Sequence, residues 1–348
     1  MVQRLLQPGE IESLDHTAIP RLLLPKPASL FSARAARLRQ LANNEIKGTP
    51  VEEGLSGYLL LMAHLAEAQH ATAGSLLPDG VPLPDAAVMQ TAHDHNMPPL
   101  PASGARPAAW RTVFATLLDR LDAIAAASTS AAPQLAAAVA ALRATDEATL
   151  EGIADAVLND FDEGADPLRA PFVAAALQVS WSLMAAQLDQ RWAQPLMTGT
   201  LCPVCGSHPV ASVIRIGGQS QGYRYLHCAT CASEWHMVRV KCSCCEATGK
   251  VAYQSLADAN SDEQATLIAA ADEGKSMNKA NDPTKVARAE ICDDCFSYRK
   301  IFNQEHDLHV DPLADDLASL TLDVLVTEAG YARASGNPML WLKEEEEE

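Results

Sequence analysis

The chain has no cysteine before position 202 and none after 295. It also lacks any apolar run approaching the roughly 18 residues that a spanning helix needs; the stretch Gly57 to Ala63 is far too short. Positive charge is scarce, with 26 Lys and Arg against 44 Asp and Glu, a net charge of −18. That balance argues against a chain whose main task is gripping nucleic acid or an anionic membrane, because phosphate binding leaves a basic footprint. Part of the excess is the Glu344 to Glu348 run, which reads as a solvated tail. Met1 to Ile19 shows neither a basic n-region nor a long apolar h-region, so no secretory signal is expected. Paired thiols without an export signal belong in a reducing compartment, where they bind metal rather than each other. The expected location is the cytoplasm.

At 348 residues, with 48% hydrophobic and 20% charged residues, the chain is an ordinary globular protein large enough for two or three domains. Residues 1–195 are rich in Ala and Leu and poor in β-branched runs, a composition that favours helix. Leu30, Ala33, Leu38 and Leu41 alternate with Arg34, Arg37 and Arg39, predicting an amphipathic helix from Ser29, its N-cap, to Ala42. Pro50 is expected to open the next helix. Leu77 to Pro107, punctuated by Pro and Gly, reads as an extended connection whose His93 and His95 are loop residues rather than ligands. Helices follow from Trp110, over Pro133 to Leu142 and over Thr149 to Phe161, the last capped by Thr145 or Asp146. A long helix spans Ala170 to Trp192, with Val173, Leu177, Trp181, Met184 and Leu188 as its inward stripe. A helical domain ending near Pro195 is the result.

The composition then changes. From Gly199 to Val251, short apolar alternations lie between Gly-rich turns, which predicts hairpins. Val210 to Ile216 and Tyr223 to His227 should pair, and Glu234 to Val240 should add a strand. Asp258 to Ala287 reads as a loop or a loosely packed helical insertion. A closing helix is capped by Asp311, opens on Pro312, buries Leu313, Leu317, Leu320 and Val324, and stops at Gly330.

Eight of the nine cysteines form four Cys-x-x-Cys pairs: Cys202/Cys205, Cys228/Cys231, Cys242/Cys245 and Cys292/Cys295. Such a turn aims two thiolates at one ion, and two such knuckles complete a closed tetrahedral site. Two tetrathiolate sites are therefore expected. The simplest pairing joins the first two knuckles and the last two; spacing alone leaves an interleaved pairing open. Gly206 follows the first knuckle and supplies the φ > 0 geometry that brings backbone N–H groups to the sulfurs. Cys244 is left as a spare thiol. Disulfides and redox dithiols are the competing readings, and four pairs without a βαβ context favour metal. Four thiolates suit zinc and rubredoxin-type iron equally. Neither leaves the open coordination position that a metal hydrolase needs. Arg215, Arg224, Arg239, Lys241 and Lys250 outnumber Glu234 and Glu246 around the first ribbon, with Tyr223, Tyr225, His227, Trp235 and His236 among them. They read as ordinary strand faces ahead of a binding surface; if a surface, its contacts would be Trp235, Arg239 and Lys241 and its partner a protein.

The run Cys202-Pro-Val-Cys-Gly-Ser-His-Pro-Val-Ala-Ser, then Arg224-Tyr-Leu-His-Cys, Glu234-Trp-His and Val238-Arg-Val-Lys-Cys, resembles the formate dehydrogenase accessory protein family FdhE. So do Ala289-Glu-Ile-Cys-Asp-Asp-Cys, Ala314-Asp-Asp-Leu-Ala-Ser-Leu, Glu328-Ala-Gly-Tyr-Ala-Arg and Asn337-Pro, with a weaker likeness at Arg34-Ala-Ala-Arg-Leu. The resemblance covers about 200 to 340. It implies a cytoplasmic factor, not an enzyme, needed to mature respiratory formate dehydrogenases, molybdenum enzymes whose catalytic subunit is exported after cofactor loading. It further implies binding of that subunit before export, and iron held in rubredoxin-like fashion by Cys202, Cys205, Cys228, Cys231, Cys242, Cys245, Cys292 and Cys295. The chain departs from the pattern in Cys244, in the long spacer from Cys245 to Cys292 and in the glutamate tail.

The expected architecture is α+β: a helical N-terminal domain (1–195), a first rubredoxin-like or zinc-ribbon-like module (196–241), and a second module with a C-terminal helix (242–348). The expected function is maturation of formate dehydrogenase through binding of its catalytic subunit, with no nucleic acid, no membrane insertion and no small-molecule substrate. The alternatives are a rubredoxin-like electron carrier and, less favoured, a nucleic-acid-binding zinc ribbon.

Overall fold

The computed structural model describes residues 19–45, 51, 54–76, 80–127, 132–159, 166–256, 267–269 and 283–340. Its N-terminal part is helical: α1 (Pro27–Ala42), α2 (Leu55–Leu76), α3 (Ala86–Asp94), α4 (Ala109–Ala127), α5 (Ala132–Arg143), α6 (Glu147–Asn159) and α7 (Ala170–Gln187). α1 begins two residues before Ser29, because Pro27 presets the first helical φ and Lys26, not Ser29, stands at the cap. α2 begins at Leu55; Pro50 lies outside the described residues. The connection after α2 is not wholly extended, since Ala86 to Asp94 coil into α3, and His93 belongs to that helix. Asp146 does cap α6, accepting from the Thr149 amide at 2.9 Å.

α7 is not an amphipathic helix with one inward stripe. Every residue from Ala170 to Ala185 is buried, because α4, α6 and α2 pack around it. A helix apolar all round is the axis of a core rather than its edge. It ends at Leu188, whose extended backbone turns the chain away before Trp192.

The C-terminal part is one nine-stranded sheet among the described residues, so the architecture is α+β. Its strands are β1 (Leu22–Leu23), β2 (Pro209–Ile214), β3 (Arg224–Cys228), β4 (Glu234–His236), β5 (Val251–Leu256), β6 (Leu267–Ala269), β7 (Ala287–Cys292), β8 (Ser297–Asn303) and β9 (Ala332–Arg333). The order is β1-β4-β3-β2-β8-β7-β5-β6, with β9 beside the start of β8. β2 and β3 form the expected hairpin. The strand from Glu234 stops at His236, earlier than Val240, as the chain turns toward the third knuckle. Most of Asp258 to Ala287 lies outside the described residues; within it Leu267–Ala269 is strand, paired with β5.

Each half of the sheet repeats one plan: knuckle, strands, knuckle, strand. The first half is β2, β3 and β4, and the second β5, β7 and β8. They join where β2 and β8 run parallel, Ser212 opposite Ile301 and Ile214 opposite Asn303. β2 leaves the first knuckle and β8 leaves the fourth, so parallel pairing places both cysteine clusters at the same end of the sheet.

The closing helix is two helices, α8 (Pro312–Ala318) and α9 (Leu320–Glu328). Asp311 caps α8 as expected, accepting from the Leu313 and Ala314 amides. At Ser319 the backbone leaves helical geometry, and buried Lys300 takes the carbonyl of Asp316 at 2.7 Å. The break re-aims the apolar face: Leu322 and Val326 are buried, while Val324 is exposed.

Candidate metal centres

The four knuckles share one local geometry. The residue after the second cysteine has positive φ in all of them: Gly206 at 79°, Ala232 at 57°, Glu246 at 64° and Phe296 at 51°. In three knuckles its amide donates to the carbonyl of the first cysteine: Gly206 to Cys202, Glu246 to Cys242 and Phe296 to Cys292, at 2.8 to 3.1 Å. Amides inside the turns face sulfur, as with Thr230 and Cys231 on Cys228 Sγ, both at 3.4 Å, and Cys244 on Cys242 Sγ at 3.3 Å. The geometry foreseen from Gly206 is thus imposed at three positions without glycine.

The structure pairs the knuckles in the simpler of the two ways. Cys202, Cys205, Cys228 and Cys231 form one quartet, and Cys242, Cys245, Cys292 and Cys295 the other; the sulfurs of each lie within 4.8 Å of one another. Across the first, Cys202 and Cys231 are 3.6 Å apart and Cys205 and Cys228 3.3 Å. Across the second, Cys242 to Cys295 and Cys245 to Cys292 are both 3.8 Å. A disulfide needs about 2.05 Å, and all nine cysteines are free. Four sulfurs at about 2.3 Å from one ion stand about 3.8 Å from each other, so both quartets fit a tetrahedral ion, the first slightly contracted. Cys244 belongs to neither quartet.

The electrostatics favour the same reading. Burial pushes the Cys202 and Cys228 thiols far above their ordinary range. Burial would also raise Cys205, but hydrogen bonds from the three neighbouring thiols and Ser207 outweigh it and hold that thiol down. In the second quartet burial pushes Cys242 and Cys295 up to about 11. Such sulfurs cannot all ionise side by side without a cation among them.

The first quartet sits inside the main hydrophobic core. The loop before α4 seals it, Leu100 N donating to Val204 O at 3.0 Å and Ala102 N to Cys205 O at 2.8 Å. Trp181 of α7 holds that loop through Leu100 O, and Gln178 holds the second knuckle through Ala229 O. Beside it His227 Nδ1 lies 2.7 Å from Glu234, which Arg215 also clasps. The second quartet stands on the far half of the sheet, where Cys245 is exposed and Cys295 half-buried.

The basic side chains around the first ribbon have partners, one of them distant. Arg224 is buried against Glu290 of β7, and half-buried Arg215 pairs with Glu234. Trp235 is also buried, its indole N–H donating to Gly199 O at 2.8 Å. Arg239 and Lys241 are half-buried, bound to Gly222 O and to Glu246. His93 packs edge-on against Trp192 and meets Gln194; neither it nor His95 joins a metal-ligating group among the described residues. Missed in the sequence was the burial of Arg34 and Arg37, which read only as the polar members of an amphipathic pattern. No local signal marks their partners, Asp311 and Asp315, which follow some 277 positions later. No helix among the described residues is long and apolar enough to cross a membrane.

Comparison with known proteins agrees with the motifs. Family models described as "FdhE, N-terminal", "FdhE, central domain" and "FdhE, C-terminal domain" match residues 19–198, 201–239 and 272–340. The chain is 37% identical to the Protein FdhE homolog of Pseudomonas aeruginosa over 341 residues, 98% of each chain. It is 36% identical to Protein FdhE of Escherichia coli K12 over 335 residues, 96% of this chain and 95% of that one. The crystal structure of the FdhE protein from Pseudomonas aeruginosa superposes with a TM-score of 0.71 at 35% identity, covering 92% of this chain and 99% of that one. The chain belongs to the FdhE family.

Proposed function

We propose that this protein is a cytoplasmic maturation factor, without catalytic activity of its own, that binds the immature catalytic subunit of a respiratory formate dehydrogenase before export. Full-length membership of the FdhE family carries this reading, given what the motif resemblance implies about that family. The proposed ligands are Cys202, Cys205, Cys228 and Cys231 for one iron and Cys242, Cys245, Cys292 and Cys295 for a second. A closed tetrathiolate site supplies folding free energy and, with iron, one-electron redox chemistry; it offers no coordination position to a substrate. The proposed units are the helical 1–195, the first ribbon 196–241 and the second 242–348.

Partner contacts are assigned to the turn after β4. Arg239 and Lys241 alternate there with Val238 and Val240, apolar side chains that are 49% and 65% exposed. Trp235, the third expected contact, is buried on β4 with its indole N–H on Gly199 O. The test combines affinity capture with deletion of the gene. Capture of the formate dehydrogenase catalytic subunit and loss of its activity on deletion support the reading; neither effect would overturn it.

The exposure of Cys245 favours one second reading, a rubredoxin-like electron carrier. That reading requires a reversible potential and turnover with a reductase, and a protein holding only zinc would end it.

A further inference from the structure

We infer that the two quartets have divided tasks: the first holds its metal ion as a permanent internal clamp, whereas the second exchanges its ion with solution while the fold stays intact. The inference rests on the reading that both quartets hold a metal ion.

In the first quartet no cysteine is more than 1% exposed. All four cysteines belong to the core that also contains α7, and the 100–102 loop lies against their knuckle through two backbone hydrogen bonds. Gly206 touches Pro98 of the same loop, where a Cβ would stand 3.3 Å from the proline ring. A cavity lined by Cys205, Gly206 and Ser207 adjoins this quartet, but with no cysteine more than 1% exposed a chelator or an incoming thiol reaches the ion only after the covering segments open. Such an opening breaks core contacts and has a free energy near that of global unfolding.

The second quartet has one sealed side and one open side. Cys242 and Cys292 are buried, Cys292 at the end of β7, but Cys245 is exposed and Cys295 half-buried. The cover on the open side is thin: Phe296 is 61% exposed beside Tyr331, and Tyr331 bonds Asp293 at the surface. None of its cysteines belongs to any of the three hydrophobic clusters. The strands beneath are held independently of the ion, by Arg224 on Glu290 and by Lys300 on Asp316 and Asp323. A ligand from solution can therefore attack this ion in place, without prior unfolding. The state of the second ribbon would then follow the availability of thiophilic metal around the protein.

The experiment uses the full chain, with its metal counted at the start, and adds excess EDTA at neutral pH. Metal release is followed with a chromogenic indicator, and the fold by circular dichroism and tryptophan fluorescence. Iodoacetamide labelling with peptide mass mapping locates the emptied thiols. From protein holding two ions, one equivalent should leave at least about 100-fold faster than the other. Circular dichroism and fluorescence should stay unchanged, and Cys242, Cys245, Cys292 and Cys295 should become labelled while Cys202, Cys205, Cys228 and Cys231 do not. Cys245→Ser should abolish the fast phase and keep the slow one; Cys244→Ser should keep both. A starting count of one with the first quartet protected is the same result reached during purification. Two ions leaving at one rate, or labelling of the first quartet before the second, would overturn the division of tasks. A folded protein with no metal would instead overturn the reading on which it rests.

Discussion

Arg37 and Asp315, 278 positions apart, meet as a buried fork in which Arg37 Nε lies 3.0 Å from both carboxylate oxygens. One turn earlier on α1, Arg34 Nε lies 3.1 Å from Asp311. Both arginines are almost fully buried, at 1% and 2% exposure. The two pairs bolt the first helix onto the N-terminus of α8, and so join the helical half to the chain's end. Breaking such a pair on one side leaves an uncompensated buried charge, which costs about 3–5 kcal/mol. Arg37→Met should destabilise the protein by about that amount in urea unfolding, and Asp315→Leu by less, because Arg37 keeps Asp307 at 2.7 Å. The double variant should recover at least about 2 kcal/mol of the summed loss, a coupling measured by the double-mutant cycle. Simple additivity would show that the two side chains do not act on each other.

Glu234 gives the fold an acid-sensitive joint. Burial alone would raise its carboxyl, but Arg215 and the His227 ring outweigh burial and hold it at about 2, against an ordinary 4.5. The folded state thus binds fewer protons than the unfolded chain between these values. The group's contribution, up to about 3 kcal/mol, is present above pH 4.5 and lost as pH falls toward 2. Unfolding free energies measured down this range should fall less steeply for Glu234→Gln than for the native chain. Because both chains keep every cysteine, the difference between the two slopes isolates Glu234. Parallel slopes would contradict the assignment.

The knuckles predict substitutions of opposite sign at equivalent positions. An L-residue held in the left-handed region costs about 1–2 kcal/mol relative to glycine. Gly206→Ala should therefore destabilise by about 1 kcal/mol, with the Pro98 contact adding to it. Ala232→Gly, at the matching place in the second knuckle, should stabilise by about 1 kcal/mol or less, since glycine also loses more entropy on folding. Thermal unfolding of the two metal-loaded variants checks both signs.

The cysteine spacing made the metal-ligating set legible, because Cys-x-x-Cys is a local motif that carries its own geometry. The hairpin of β2 and β3 was legible for the same reason: apolar alternation on either side of a Gly-rich turn is a local signal. What escaped was non-local. The parallel seam between β2 and β8 couples segments nearly ninety residues apart and leaves no mark in either strand. The burial of Arg34 and Arg37 escaped the amphipathic pattern because their countercharges lie some 277 positions later. Val324 looked buried because nothing local shows that Lys300 reaches the carbonyl of Asp316 and accompanies the break at Ser319. α3 was hidden by the Pro-rich segments on either side of it.

Metal analysis of the anaerobically purified protein, with its optical spectrum, decides whether the two cysteine quartets hold iron. Two ions per chain and the red colour of a ferric tetrathiolate are expected, with the count falling to one in Cys292→Ser. A correctly folded protein free of metal, or one whose eight cysteines are found as disulfides, would contradict that expectation.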